Sequence, residues 1–150
     1  MSLDGQYDPD NIFAKILKGE IPCVKVYEDE HVLSFMDLYP QAPGHTLVVP
    51  REPVRNALEM SDGALQAAIV RVKRIGNAVK TALKPDGIVI TQFNGAPAGQ
   101  TIFHVHFHII PKMEDGSGLS FPFKPSPIDN NDGAKISSSI RELLGTPHSQ

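Results

Sequence analysis

Apolar positions return at helical spacing at Ile12, Phe13, Ile16 and Leu17, directly after Asn11, a residue type that caps helices. Gly19 and Pro22 end the pattern, so a short first helix is expected there. Val24 to Tyr27 and His31 to Met36 are instead rich in β-branched and apolar residues around the polar stretch Glu28-Asp29-Glu30, the signature of a hairpin. Pro40 to Gly44 reads as a turn into a third strand, His45 to Val49, closed by Pro50. From Ser61 to Leu83, the stripe Leu65, Ala68, Ile69, Val72, Ile75, Val79 and Leu83 predicts one long amphipathic helix that covers a face of the sheet. Ile88 to Phe93 alternates as a fourth strand, Asn94 to Gln100 loops, and Ile102 to Ile110 forms a fifth strand ended by Pro111. Gly116 to Asp132 reads as loop, and Ile136, Ile140, Leu143 and Leu144 predict a last short helix over about Ala134 to Leu144.

Hairpins joined by short turns favour an antiparallel sheet, and the helices follow no regular βαβ rhythm, so the class is α+β. Residues 1–10 are polar and aperiodic and read as a flexible arm; residues 11–112 form the domain, and 113–150 a C-terminal extension with a short helix. A chain of 150 residues suffices for one ordinary core.

Composition narrows the function. With 41% hydrophobic and 21% charged residues the chain reads as globular, and a formal charge of -3 with scattered Lys and Arg argues against a nucleic-acid surface. No stretch approaches the roughly 20 apolar residues of a membrane span, and the start lacks the basic and apolar regions of a secretory signal. The single cysteine, Cys23, gives no intramolecular disulfide, so cytoplasmic residence is expected.

The chemistry concentrates in His104-Val105-His106-Phe107-His108, three of the chain's six histidines at alternate positions. On a strand such residues share a face, while Val105, Phe107 and Ile109 point into the core. An exposed polar face would tolerate Lys, Thr or Glu equally, so three imidazoles in register point instead to a site. A zinc centre is disfavoured, because a rise of about 3.3 Å per residue sets the outer α-carbons roughly 13 Å apart. Such a row suits an extended phosphate chain, along which one neutral ring attacks and a neighbour donates to a phosphoryl oxygen or leaving group. Upstream, Asn94-Gly95-Ala96-Pro97-Ala98-Gly99-Gln100-Thr101 is rich in small residues whose amides can form an anion-binding nest, or simply a turn.

The run His104 to Ile110, with Gly99-Gln100-Thr101 before it, resembles the signature of the histidine triad (HIT) family. The likeness extends from about Asn11 to Pro111, through Gly19-Glu20-Ile21-Pro22, Val26-Tyr27-Glu28-Asp29, Phe35-Met36-Asp37 and Pro43-Gly44-His45-Thr46-Leu47-Val48-Val49-Pro50, and is strongest to bacterial histidine triad nucleotide-binding proteins. This resemblance implies a five-stranded antiparallel sheet with one long and one short helix, joined into a ten-stranded sheet in a homodimer. It implies that His106 attacks the α-phosphorus of an AMP-type purine nucleotide, that His108 contacts the phosphate and assists the leaving group, that His104 orients its neighbour, and that His45 extends the relay. Asp37 would accept the ribose hydroxyls, and Asn94, Gly99, Gln100 and Thr101 would line the phosphate site. Ile12, Phe13, Ile16 and Phe35 would flank the base, although ordinary core packing explains them equally well.

Many bacterial relatives carry a Cys-x-x-Cys pair whose thiolates join two histidines on zinc; the matching positions here are Asn11 and Ala14, so no bound metal and no cofactor are expected. The activity implied is hydrolysis or nucleotidyl transfer on nucleoside 5′-phosphoramidates. Dinucleoside polyphosphates are a second substrate class, suggested by Gln100 and Thr101. A non-catalytic nucleotide-binding or adaptor protein, and a metal-dependent hydrolase using His45, His104, His106 and His108, are the remaining alternatives.

Overall fold

A computed structural model describes residues 2–117 and 124–145 of the chain. Residues 118–123 of the expected loop and His148 in the tail lie outside the described residues. Two compact units divide at residues 120 and 121. In the first, α1 (Ile12–Leu17) is followed by β1 (Lys25–Glu28), β2 (Val32–Met36), β3 (Thr46–Pro50), α2 (Asp62–Leu83), β4 (Gly87–Thr91) and β5 (Phe107–Lys112). The strands form one antiparallel sheet in the order β1-β2-β3-β5-β4. The α+β class with one long and one short helix is therefore as expected.

Period-two alternation sorts the sheet's side chains onto its two faces. Val32, Val48, Val105, Phe107 and Ile109 lie against Ala68, Val72, Ile75 and Val79 of α2. Leu33, Phe35, Leu47 and Val49 face the other way and meet Phe13 and Ile16 of α1. Side-chain caps start both helices: Asn11 accepts from the Ala14 amide and Ser61 from the Ala64 amide. In the second unit, α3 (Asn130–Leu144) begins four residues before Ala134, because Asp129 caps the amides of Asn131 and Asp132.

The fifth strand departs from its expected bounds at both ends. It begins at Phe107 instead of Ile102, and pairs with β3 only from Val48↔Phe107 to Thr46↔Ile109. Beyond that, Val105 donates to Val54 and the Pro50 carbonyl is taken by the His104 ring, so residues 102–106 leave the ladder. At the other end Pro111 lies inside the strand, opposite Ile88 of β4. The β3 pairing has stopped at Ile109, so a residue without an N–H is tolerated there.

The polar N-terminal segment has no regular structure, yet it is tied down rather than free. Arg55 donates to the carbonyls of Ser2 and Gln6, Asn56 donates to that of Leu3, and the Tyr7 hydroxyl reaches His104. Hydrogen bonds to Arg55, Asn56 and His104 hold it, in place of the apolar periodicity that would have marked it in the sequence.

Asp29 fastens the first hairpin to α2. Its carboxylate accepts from the amides of His31 and Val32, the Tyr27 hydroxyl and Arg71 Nε. Burial opposes its charge, but those donors outweigh it and hold the carboxyl well below the usual carboxylate range. Its stabilising contribution is therefore complete above the unfolded-state value of about 3.9 and is lost as pH falls toward the lower folded value. Asp29→Ala should cost about 3 kcal/mol in urea titrations at pH 7, a penalty that shrinks below about pH 4.

Candidate active site

A cavity of about 430 Å³ opens on the α1 side of the sheet. Of the residues singled out from the sequence, Ile12, Phe13, Ile16, Phe35, Asp37, His45, Gly99, Thr101, His106 and His108 all line it. Three others do not: Asn94, Gln100 and His104.

The histidines keep their alternation although only His108 lies on β5. The rings of His106 and His108 stand 5.0 Å apart at the cavity. His104 is fully buried, so the row does not present three imidazoles to a ligand. The bend of the chain before Phe107 turns the first ring toward Pro50 and Tyr7 instead.

Hydrogen bonds assign each ring a tautomer. His106 Nδ1 lies 2.7 Å from the His104 carbonyl, which can only accept, so Nδ1 carries the proton and Nε2 keeps its lone pair. His45 Nδ1 accepts from the Gln41 amide at 3.0 Å, which puts its proton on Nε2. That proton is donated to His108 Nδ1 at 2.9 Å, leaving His108 with Nε2–H. His106 and His108 thus hold opposite tautomers, one with a free lone pair at Nε2 and one with a proton there.

Burial also decides their charge. It pushes His106 down to about 4, against the support of the His104 carbonyl. Burial, with His106 and His45 as neighbours, pushes His108 down to about 3. His45 is lowered by burial although Asp37, 3.5 Å from its Nε2, favours the charged form. Both cavity rings are therefore neutral at pH 7.

Among the described residues, Asp37, His45 and His108 have the spacing of a metal site, with ligand atoms within 4.8 Å of one another. The hydrogen bonds argue against that use. A cation on His45 Nε2 would displace its proton while Nδ1 still faces the Gln41 N–H, requiring an anionic imidazolate. Asn11, at one of the two positions where the resemblance would have a thiolate, caps α1, and both nitrogens of His104 are engaged, by the Tyr7 hydroxyl and the Pro50 carbonyl.

The small-residue loop is organised for its own turn. The amides of Ala98, Gly99 and Gln100 donate to carbonyls of Gly95 and Ala96, and the Gly95 amide donates to Gln100 Oε1, so these amides form no open nest. Gln100 is buried and also donates to the carbonyls of Arg55 and Ile102; the side-chain argument for dinucleoside polyphosphates loses it. Asn94 accepts from the Ala57 amide and from Gln92. The loop therefore offers the cavity the Gly99 backbone, at φ +109°, and Thr101.

Phe13 serves the core and the site together, standing edge-on to Phe35 at 5.5 Å and to His106 at 4.8 Å. Sequence reasoning missed Phe93, whose ring lies 5.2 Å from His108. Thr91 pairs with His108, so strand alternation two residues on would have found it. It also missed the Gln41 amide, a main-chain donor that no side-chain pattern marks.

The HIT domain family model matches residues 18–115. The chain is 40% identical over 137 residues to the Bacillus subtilis protein named Protein hit, covering 90% of this chain and 94% of that one. It is 40% identical over 135 residues to adenosine 5′-monophosphoramidase hnt1 of Schizosaccharomyces pombe, covering 87% and 98%. The crystal structure of the histidine triad nucleotide-binding protein from Candida albicans matches with a TM-score of 0.82 at 31% identity, covering 90% of this chain and 97% of that one.

Imidazole 15N spectra should find His106 as the neutral Nδ1–H tautomer and His108 as the neutral Nε2–H tautomer at pH 6, with protonation beginning only below about pH 5. The unfolded chain protonates these rings near 6.5, so stability should fall as pH drops from about 6.5 toward 4. An imidazolium at either position at pH 6 would contradict the assignment.

Proposed function

Because the chain belongs to the HIT domain family, we propose that it is a nucleotide-binding hydrolase or nucleotidyl transferase that cleaves nucleoside 5′-phosphoramidates at the α-phosphorus. The observation that carries this reading is the pair of neutral rings 5.0 Å apart in the cavity, one with a bare Nε2 and one with Nε2–H. The named activity of the fission yeast relative supports the substrate class.

His106 Nε2 attacks the α-phosphorus, a phosphorus–nitrogen bond to His106 forms, and the bond to the leaving amine breaks. The Nε2–H of His108 hydrogen-bonds the phosphate and the departing amine, and the amine leaves with the proton that the phosphoramidate nitrogen takes up from solvent. In the second half, water or another acceptor attacks phosphorus, the bond to His106 breaks, and the acceptor's proton passes to solvent. His45 holds His108 in place through Nδ1, and Asp37 accepts the ribose hydroxyls with its carboxylate. The purine lies between Ile12, Phe13, Ile16 and Phe35, and Thr101 with the Gly99 backbone borders the phosphate.

The same family reading makes the molecule a homodimer. The edge strand β4 has a neighbour on one side only and leaves Ile90 half exposed, which suits pairing with a second copy into a ten-stranded sheet. No helix among the described residues is long and apolar enough to cross a membrane, in keeping with a cytoplasmic location.

His106→Ala should lower turnover of adenosine 5′-phosphoramidate by at least about a thousandfold, and rapid quenching of the parent should recover a nucleotidyl group on the peptide bearing His106. Unchanged turnover by the variant would rule the role out.

A further inference from the structure

Tyr7 lies in a segment with no apolar periodicity, and nothing in the residue pattern around it suggests a role. Its hydroxyl is nevertheless 2.5 Å from His104 Nδ1, and its ring stands edge-on to that imidazole at 5.6 Å. Anchors on either side hold it there: Arg55 and Asn56 take the carbonyls of Ser2, Leu3 and Gln6, while Lys18 and Asn11 take those of Pro9 and Asp8.

His104 has 0% exposure, so no solvent molecule stands ready to replace a lost partner. Its Nε2 lies 2.7 Å from the Pro50 carbonyl, an acceptor, and so carries the proton. Its Nδ1 must then accept, and the Tyr7 hydroxyl is the donor that reaches it. The opposite tautomer would set a lone pair against the Pro50 carbonyl, so a single arrangement satisfies the ring, and it includes Tyr7. The same residue's main-chain carbonyl accepts from His106 Nδ1 at 2.7 Å.

We propose that Tyr7 is a positioning residue for the nucleophile: its hydrogen bond locks the buried His104, and the locked His104 presents the carbonyl that keeps His106 Nε2 unprotonated and aimed into the cavity. The inference rests on the reading of His106 as nucleophile. It adds a residue outside the histidine motif that touches neither substrate nor reacting atoms. The N-terminal segment thus acts on the site from behind the sheet residues that bear it.

Tyr7→Phe in the full chain removes the hydroxyl and keeps the ring. The expected result is a fall in kcat on adenosine 5′-phosphoramidate of about tenfold to a hundredfold, with KM within about twofold of the parent. Binding of AMP, measured by calorimetry, should be unchanged, and the His106 Nδ1–H proton should exchange faster with water. Unchanged kcat with an unchanged His106 signal overturns the proposal. So does a loss confined to melting temperature and AMP affinity, which marks a merely structural role. The imidazole measurement needs no turnover, so it stands even if His106→Ala shows that phosphoramidates are not the substrates. Should Tyr7→Phe fail to fold, the parent's own spectrum decides: His104 as the Nε2–H tautomer with an accepting Nδ1 is expected, and a protonated Nδ1 overturns the assignment.

Discussion

The site turns on one short hydrogen bond, from His106 Nδ1–H to the carbonyl two residues earlier. An imidazole with one nitrogen committed to a carbonyl has no freedom over where its lone pair lies. In water the two tautomers interconvert and a nucleophilic nitrogen faces any direction. Here the main chain makes the choice, and burial removes the competing protonated form. With His106 as the proposed nucleophile, this is pre-organisation in the electrostatic sense, because the ring rests in the form that attack on phosphorus requires.

That bond requires the chain to leave the β-ladder. On a regular strand, the carbonyl of His104 and the ring of His106 would lie in different directions, one along the sheet and one out of it. The pairing with β3 ends at Val48↔Phe107 although β3 runs on to Pro50, so residues 102–106 lie outside the ladder and the His104 carbonyl meets the ring. His108, by contrast, sits on the paired part of β5 and takes its tautomer from His45 through a ring-to-ring bond. A main-chain carbonyl fixes one ring and a main-chain amide, relayed through His45, fixes the other, and their opposite proton placements follow from that difference.

Much of this was legible in the residue pattern. Alternation correctly divided His106 and His108 from Val105, Phe107 and Ile109, because period-two sorting depends only on local geometry and survives a partly unpaired strand. The caps at Asn11 and Ser61 and the stripe of α2 were equally local. The family resemblance assigns Asn94 and Gln100 to the phosphate site and His104 to orienting its neighbour; the first two side chains bond within and under the loop, while the His104 ring is buried and its carbonyl meets His106. Tyr7 and the Gln41 amide escaped notice for the complementary reason. One acts across 97 positions of chain and the other through the backbone, and neither distance nor main-chain direction is written in a residue type.

Phe13, Ile16 and Phe35 belong at once to a hydrophobic cluster and to the cavity wall. A side chain that is both interior and lining cannot be recut for a different ligand without opening a void or forcing a clash in the fold. Selectivity and foldability are therefore coupled at these three positions. Leu38 and Tyr39 line the same cavity while standing exposed, outside both hydrophobic clusters, so a change of shape there is freer of the core.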